Sequence, residues 1–207
     1  MLLLSLFTAA GIAFAAAASL VSLDWNMRAW PWYGTFGFFI AVLLIGWGGV
    51  AICAASTNPL VSAFGYALVA GPLGLATGPL INMYQPVSVF SIFALTTLVV
   101  VVLGIVGAVW PKDLAPWGVW LFGALLILIG GQLIVPLLGW MGLPVAGALT
   151  LLDWVGVFLF AGYVIYDLNQ AVRQEYTIDN AVDNAMSIFL DFINLFIRLL
   201  SLFGQKK

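Results

Sequence analysis

Histidine is absent from this 207-residue chain, which removes His-ligated haem and zinc sites and the histidine base of a rhomboid-type serine mechanism. A single cysteine, Cys53, excludes an internal disulfide and leaves the redox compartment undetermined. Charge is scarce: only 7% of residues carry it, with six Lys or Arg against eight Asp or Glu, and no basic cluster is available for a nucleic acid to contact. The only lysines, Lys112, Lys206 and Lys207, lie outside the apolar runs, so a retinal Schiff base in mid-helix is excluded. What remains is 64% hydrophobic with a mean hydropathy of +1.17. A soluble domain of this size would aggregate with that composition. The chain is therefore expected to be an all-α integral membrane protein, and its first partner is the lipid bilayer.

Seven apolar runs reach spanning length at about 1.5 Å per residue: 2–23, 33–55, 60–83, 87–110, 117–138, 145–170 and 177–203. The polar breaks between them are all short, so residues 1–207 read as a single seven-helix transmembrane domain. The first run ends in "AFAAAAS", which resembles a signal-peptide cleavage region, but no positive charge precedes it and it is read as a span. The loop 24–31 sets Arg28 among Trp25, Trp30 and Trp32, the amphipathic rings of a membrane interface. In the third run Gly65, Gly71, Gly74 and Gly78 permit close helix approach, and Pro72 and Pro79 predict a kink. Gln132 is the one strongly polar side chain of the fifth. Thr177 is placed to cap the seventh helix, with Asp179 at its start. Basic residues divide two against three between the two sides, so charge assigns no orientation.

The last forty residues concentrate the polar groups. Asp167 and Asp191 sit in apolar surroundings on two runs joined by a polar turn, where even one carboxylate marks a functional site by default. Each is twelve residues from Asp179, so a symmetric antiparallel hairpin would bring them to one level, facing each other. Along the seventh run Asp183, Ser187, Asp191, Asn194, Arg198 and Ser201 recur at steps of three and four and share one helix face. Such a stripe lines a water-accessible seam or joins helices by hydrogen bonds, the second reading favoured for Ser187 and Ser201 and the first for Asp191. Arg198, seven residues and about 10 Å from Asp191, either biases the potential in the seam or snorkels to the interface. Asp153, four turns before Asp167, is either a second polar station or an interfacial acid.

"YDLNQ" at 166–170, followed twenty-four residues after its Asp by "LDFINLF" at 190–196, resembles the C-terminal signature of the Bax inhibitor-1, or transmembrane Bax inhibitor motif, family. The similarity is greatest to bacterial members described as pH-sensitive calcium leak channels. "GPLINMY" at 78–84 and "KDL" at 112–114 follow in the expected order. The resemblance implies six helices wrapped around the seventh, with Asp167 and Asp191 as a proton-sharing pair near the cytosolic end. One departure stands out: the loop after the second span reads "ASTNPL" and lacks the basic cluster of such relatives, so no arginine latch is expected from it.

Together these readings predict a non-enzymatic, pH-sensitive cation leak channel of the cell membrane. Asp167 and Asp191 are its sensor and gate, and Asp183, Ser187, Asn194, Arg198 and Asp153 line the seam. No cofactor is expected. Calcium is the favoured permeant ion and a possible ligand of Asp167 and Asp191, because hard carboxylate oxygens suit it. The competing reading is a non-conducting regulator that binds a membrane protease or another membrane partner. Intramembrane aspartyl proteolysis also uses paired acids, but Phe189 stands where such proteases carry glycine and no Pro-Ala-Leu element follows.

Overall fold

In a hydrocarbon slab every backbone N–H and C=O must find its partner within the protein, and an uninterrupted apolar run does so by closing its own helix. The computed structural model describes residues 1–207, the Arg28 side chain excepted, so the interfacial role expected of that side chain lies outside the described residues. The helices are α1 (Leu2–Ser22), α2 (Trp32–Ala55), α3 (Pro59–Ile81), α4 (Pro86–Val109), α5 (Trp117–Trp140), α6 (Ala146–Ala171) and α7 (Ile178–Phe203), with a 3₁₀ turn at Met27–Ala29. All seven are long and apolar enough to cross a membrane. No β-strand occurs among the described residues.

The helix ends fall within a few residues of those expected, and the differences have local causes. Pro59 and Pro86 open α3 and α4, where a missing N–H costs nothing. Asn58 caps α3 by accepting from the Leu60 N–H at 3.0 Å. Thr177 caps α7 in the same way, accepting from the Asn180 N–H at 3.1 Å. Both α3 and α5 remain helical past their internal prolines, Pro72 and Pro79 in one and Pro136 in the other, and α5 thereby extends two residues beyond the predicted Leu138 to Trp140.

The chain divides into two compact units. The first comprises residues 1–86, 174–189 and 206–207, that is α1, α2, α3 and the first half of α7. Here α3 packs against both α1 and α2. The glycines noted in the sequence make those contacts: a Cβ on Gly65 would meet Gly49 of α2, one on Gly74 would overlap the Ala15 backbone, and one on Gly78 would overlap Ser19 and Ser22. At the end of α3 the chain terminus is pinned, the Lys207 N–H donating to the Met83 carbonyl at 3.1 Å and its Nζ to Asn82 Oδ1 at 2.7 Å.

The second unit comprises residues 87–173 and 190–205, that is α4, α5, α6 and the second half of α7. Its core joins Leu128, Leu159, Phe160, Val164 and Leu195, and Phe93 of α4 meets Phe192 and Phe196 of α7 edge to face. Close approach again falls on glycine, with Gly107 of α4 against the Ile165 carbonyl of α6. α7 is the most enclosed helix: 61% of its most apolar window is buried, against 39% for α3 and 6% for α5.

Replacing Gly74 with Val should force α1 away from α3, because the new side chain meets backbone and not a movable side chain. The expected loss is about 1–3 kcal/mol, read as a lower denaturation midpoint in detergent. Gly37, with open space where its Cβ would stand, should tolerate the same change with little effect.

Candidate functional site

Residues 172–177 connect α6 to α7, so Asp179 is not at the apex of the connection but in the first turn of α7. Its place at the start of α7 is as expected, whereas the centre of the hairpin lies earlier, in the connection. The connection folds back beside the start of α7, where Asn184 Nδ2 donates to Gln174 Oε1 at 2.8 Å and Asn180 Nδ2 to the Glu175 carbonyl at 3.0 Å. Asp179 is buried and accepts from Ser62 Oγ at 2.7 Å, tying α7 to the first turn of α3.

Within the second unit the Asp167 and Asp191 side chains are hydrogen-bonding neighbours. Carboxylate oxygens only accept, so such a bond requires a proton on one of the two. Asp191 is 3% exposed, and apart from Asp167 its Oδ2 has no hydrogen-bond partner among the described residues. A buried acceptor left open in this way favours a cation or a proton.

Each residue of "YDLNQ" has a distinct place. Tyr166 packs its hydroxyl end over Gly118 of α5, Asp167 faces Asp191, and Leu168 fits against Gly104 of α4. Asn169 is fully buried and is the hub of the α4–α5 connection. It accepts the Leu114 N–H at 2.9 Å and donates to the carbonyls of Gly107, Trp110 and Lys112 at 3.2, 3.3 and 3.2 Å. The first of these carbonyls is in the last turn of α4 and the other two are in the connection that follows it. Gln170 donates to Asp113 Oδ1 at 3.0 Å, and Arg173 donates to the Trp110 and Pro111 carbonyls at 3.2 Å. "KDL" is thus the segment that the end of α6 holds. No helical periodicity singles out Asn169 in the sequence; its place within "YDLNQ" is the available sign.

The remaining seam residues separate into three surroundings. Asp183 and Ser187 line a cavity of about 540 Å³ in the first unit, together with Cys53, Glu175, Asn180 and Asn184. The Cys53 thiol is within reach of the Ser62 carbonyl at 3.2 Å and of the Asp183 carboxylate, whose Oδ1 is otherwise unpartnered. Asn194 turns inward on its own helix, donating to the Leu190 carbonyl at 2.8 Å. Ser201 donates to Asp153 Oδ2 at 2.6 Å, and Arg198 is buried beside the same carboxylate at 3.6 Å. Arg198 therefore does not snorkel, and Asp153 is a partner within the second unit. Among the described residues no three acidic or thiol groups converge as a metal site.

A family model described as "Inhibitor of apoptosis-promoting Bax1" matches residues 2–207. The chain is 30% identical over 146 residues to an uncharacterized protein of Deinococcus radiodurans, covering 67% of this chain and 59% of that relative. It is 28% identical over 204 residues to an uncharacterized protein of Helicobacter pylori strain J99, covering 96% of this chain and 83% of the relative. With an uncharacterized membrane protein of Streptococcus pyogenes serotype M3 it shares 29% identity over 140 residues, 64% of this chain and 58% of the other. The chain thus spans about three fifths of the length of two of these relatives and most of the third.

Two outcomes follow from the geometry around the pair. Asn169→Ala should cost about 1–3 kcal/mol, the range for buried polar groups left unpaired, read by denaturation in detergent. Asp113 lies outside the spans, and the Gln170 amide, followed by the Ala115 N–H, holds its carboxyl below its ordinary value. A depressed folded value stabilises above the unfolded one and is lost as pH falls through the folded one. The thermal midpoints of wild type and Asp113→Asn should therefore differ at neutral pH and converge under acid.

Proposed function

This chain belongs to the Bax inhibitor-1 family, and on that premise we propose that it forms a pH-sensitive cation leak path, calcium being its cargo, with Asp167 and Asp191 as sensor and gate. The observation that carries this reading is the carboxyl pair itself: two acids from successive spanning helices in hydrogen-bonding contact, the buried Asp191 Oδ2 having no partner besides Asp167. Two carboxyls within reach of each other titrate as a unit, with macroscopic values that belong to the pair. While they hold one proton, a charge-assisted hydrogen bond ties α6 to α7. Losing that proton sets two like charges together, and gaining a second removes the charge that attracts a cation. Either change alters the tie, so the state of the path follows pH.

The energies are of the right order. One pKa unit corresponds to about 1.4 kcal/mol, enough to shift a near-balanced pair of helix arrangements about tenfold. Calcium suits the site because carboxylate, carbonyl and water oxygens are its ligands. With only two acids at the pair, the ion would complete its shell with water, as befits a passing ion. The seam of α7 supplies further oxygens at Asp183, Ser187 and Asn194, and the cavity beside Asp183 suits a hydrated cation. The cell membrane is the expected location.

The test is calcium flux from liposomes that contain only this protein, followed from acid to neutral pH. Flux in wild type should vary with pH, and Asp167→Asn and Asp191→Asn should flatten that dependence while the proteins remain folded. An identical pH profile in all three would rule the sensor out. A wild type that passes no cation at any pH would favour the competing reading, a regulator acting through a membrane partner.

A further inference from the structure

Seven residues beyond Asp191, on the same face of α7, stands a buried cation. Arg198 is 4% exposed. Its Nη1 donates to the Leu152 carbonyl at 3.3 Å and lies 3.6 Å from Asp153 Oδ1. The Gln132 side chain of α5 faces the guanidinium, and with its amide oxygen on that side it accepts from Nη1 at 3.1 Å and Nη2 at 2.9 Å. The guanidinium carbon stands 5.4 Å from the Phe160 ring centroid. At position 156 of α6 there is room for the guanidinium only because the residue is glycine; any Cβ there would overlap it. Nε has no partner among the described residues. The partner charge is less enclosed: the Asp153 side chain is 23% exposed and accepts from the exposed Ser201 hydroxyl.

A structural tie alone would not call for a charge. A buried ion pair is a weak source of stability compared with apolar packing, and the Gly156 notch, the unpaired Nε and the surrounding acceptors describe a guanidinium held in place. Its position on the seam face gives that charge a use. We propose that Arg198, offset by Asp153, is the charge-selective constriction of the cation path, setting how readily divalent ions pass relative to monovalent ones. This rests on the reading of Asp167 and Asp191 as part of such a path.

The work of bringing an ion past a fixed charge is proportional to the charge on the ion. A change at the constriction that alters monovalent flux by some factor should alter divalent flux by about the square of it. Asp153→Asn leaves the guanidinium uncompensated: a fall of about tenfold for potassium should accompany one of about a hundredfold for calcium. Arg198→Gln leaves the carboxylate and should raise the calcium-to-potassium ratio, whereas Arg198→Lys keeps the charge and should leave the ratio near that of wild type. The double variant Asp153→Asn with Arg198→Gln holds no uncompensated charge and guards against misfolding of Asp153→Asn. Like the wild-type pair it carries no net charge, so its ratio should lie between those of Asp153→Asn and Arg198→Gln.

The experiment measures potassium and calcium efflux from liposomes holding each purified variant, at one pH and one ionic strength. Opposite shifts of the ratio in Asp153→Asn and Arg198→Gln support the constriction. Should Asp153→Asn not fold, a ratio raised in Arg198→Gln and lowered again in the double variant supports it. Equal factors for both ions across the folded variants overturn it and leave the sensor reading intact, since a merely structural tie moves both fluxes together. Absence of both fluxes in wild type overturns this proposal and the leak-path reading alike.

Discussion

A polar group inside an apolar span has no water to fall back on, and most of what is specific in this protein follows from that constraint. Backbone groups meet it by helix formation and side chains by finding one another. Asp191 meets it with Asp167, Asp179 with Ser62, Asn169 with four backbone groups of the α4–α5 connection, and Arg198 with Asp153. Of the buried polar atoms without a further partner among the described residues, Asp191 Oδ2, Asp183 Oδ1 and Arg198 Nε belong to the polar face of α7 and the Tyr66 hydroxyl to α3.

Small residues make those meetings possible. Dispersion between spanning helices depends on close backbone approach, and Gly74 of α3, Gly107 of α4 and Gly156 of α6 stand where a neighbour's backbone or side chain already occupies the Cβ position. Gly156 does this for the Arg198 guanidinium and Gly118 for the Tyr166 hydroxyl. Glycine here is a space-making residue and serves helix interiors, where its propensity alone would argue against it.

Much of the site could be read in the chain before any coordinates. The steps of three and four from Asp183 to Ser201 define one face because helical period is local. The cap at Thr177 was legible for the same reason. The place of Asp179 in the first turn was legible with it, whereas the centre of the hairpin was not, since the connection folds back beside the start of α7. Asn169 was overlooked because its partners lie more than fifty residues away in sequence. The choice for Arg198 between snorkelling and burial turned on the notch at Gly156, which belongs to another helix.

Composition and periodicity by themselves determined that the chain spans a membrane seven times, where each span begins and ends, and which residues of α7 share a face. These are properties of a single segment in an apolar solvent, set by length, by backbone hydrogen bonding and by 3.6 residues per turn. Beyond the Asp167 and Asp191 pair expected from the hairpin, tertiary structure alone decided what the polar residues face: Asp153 for Arg198, a loop's carbonyls for Asn169. The facing group depends on the rotation and depth of a neighbouring helix. Those are set by packing many apolar side chains at once, a balance that no single segment encodes.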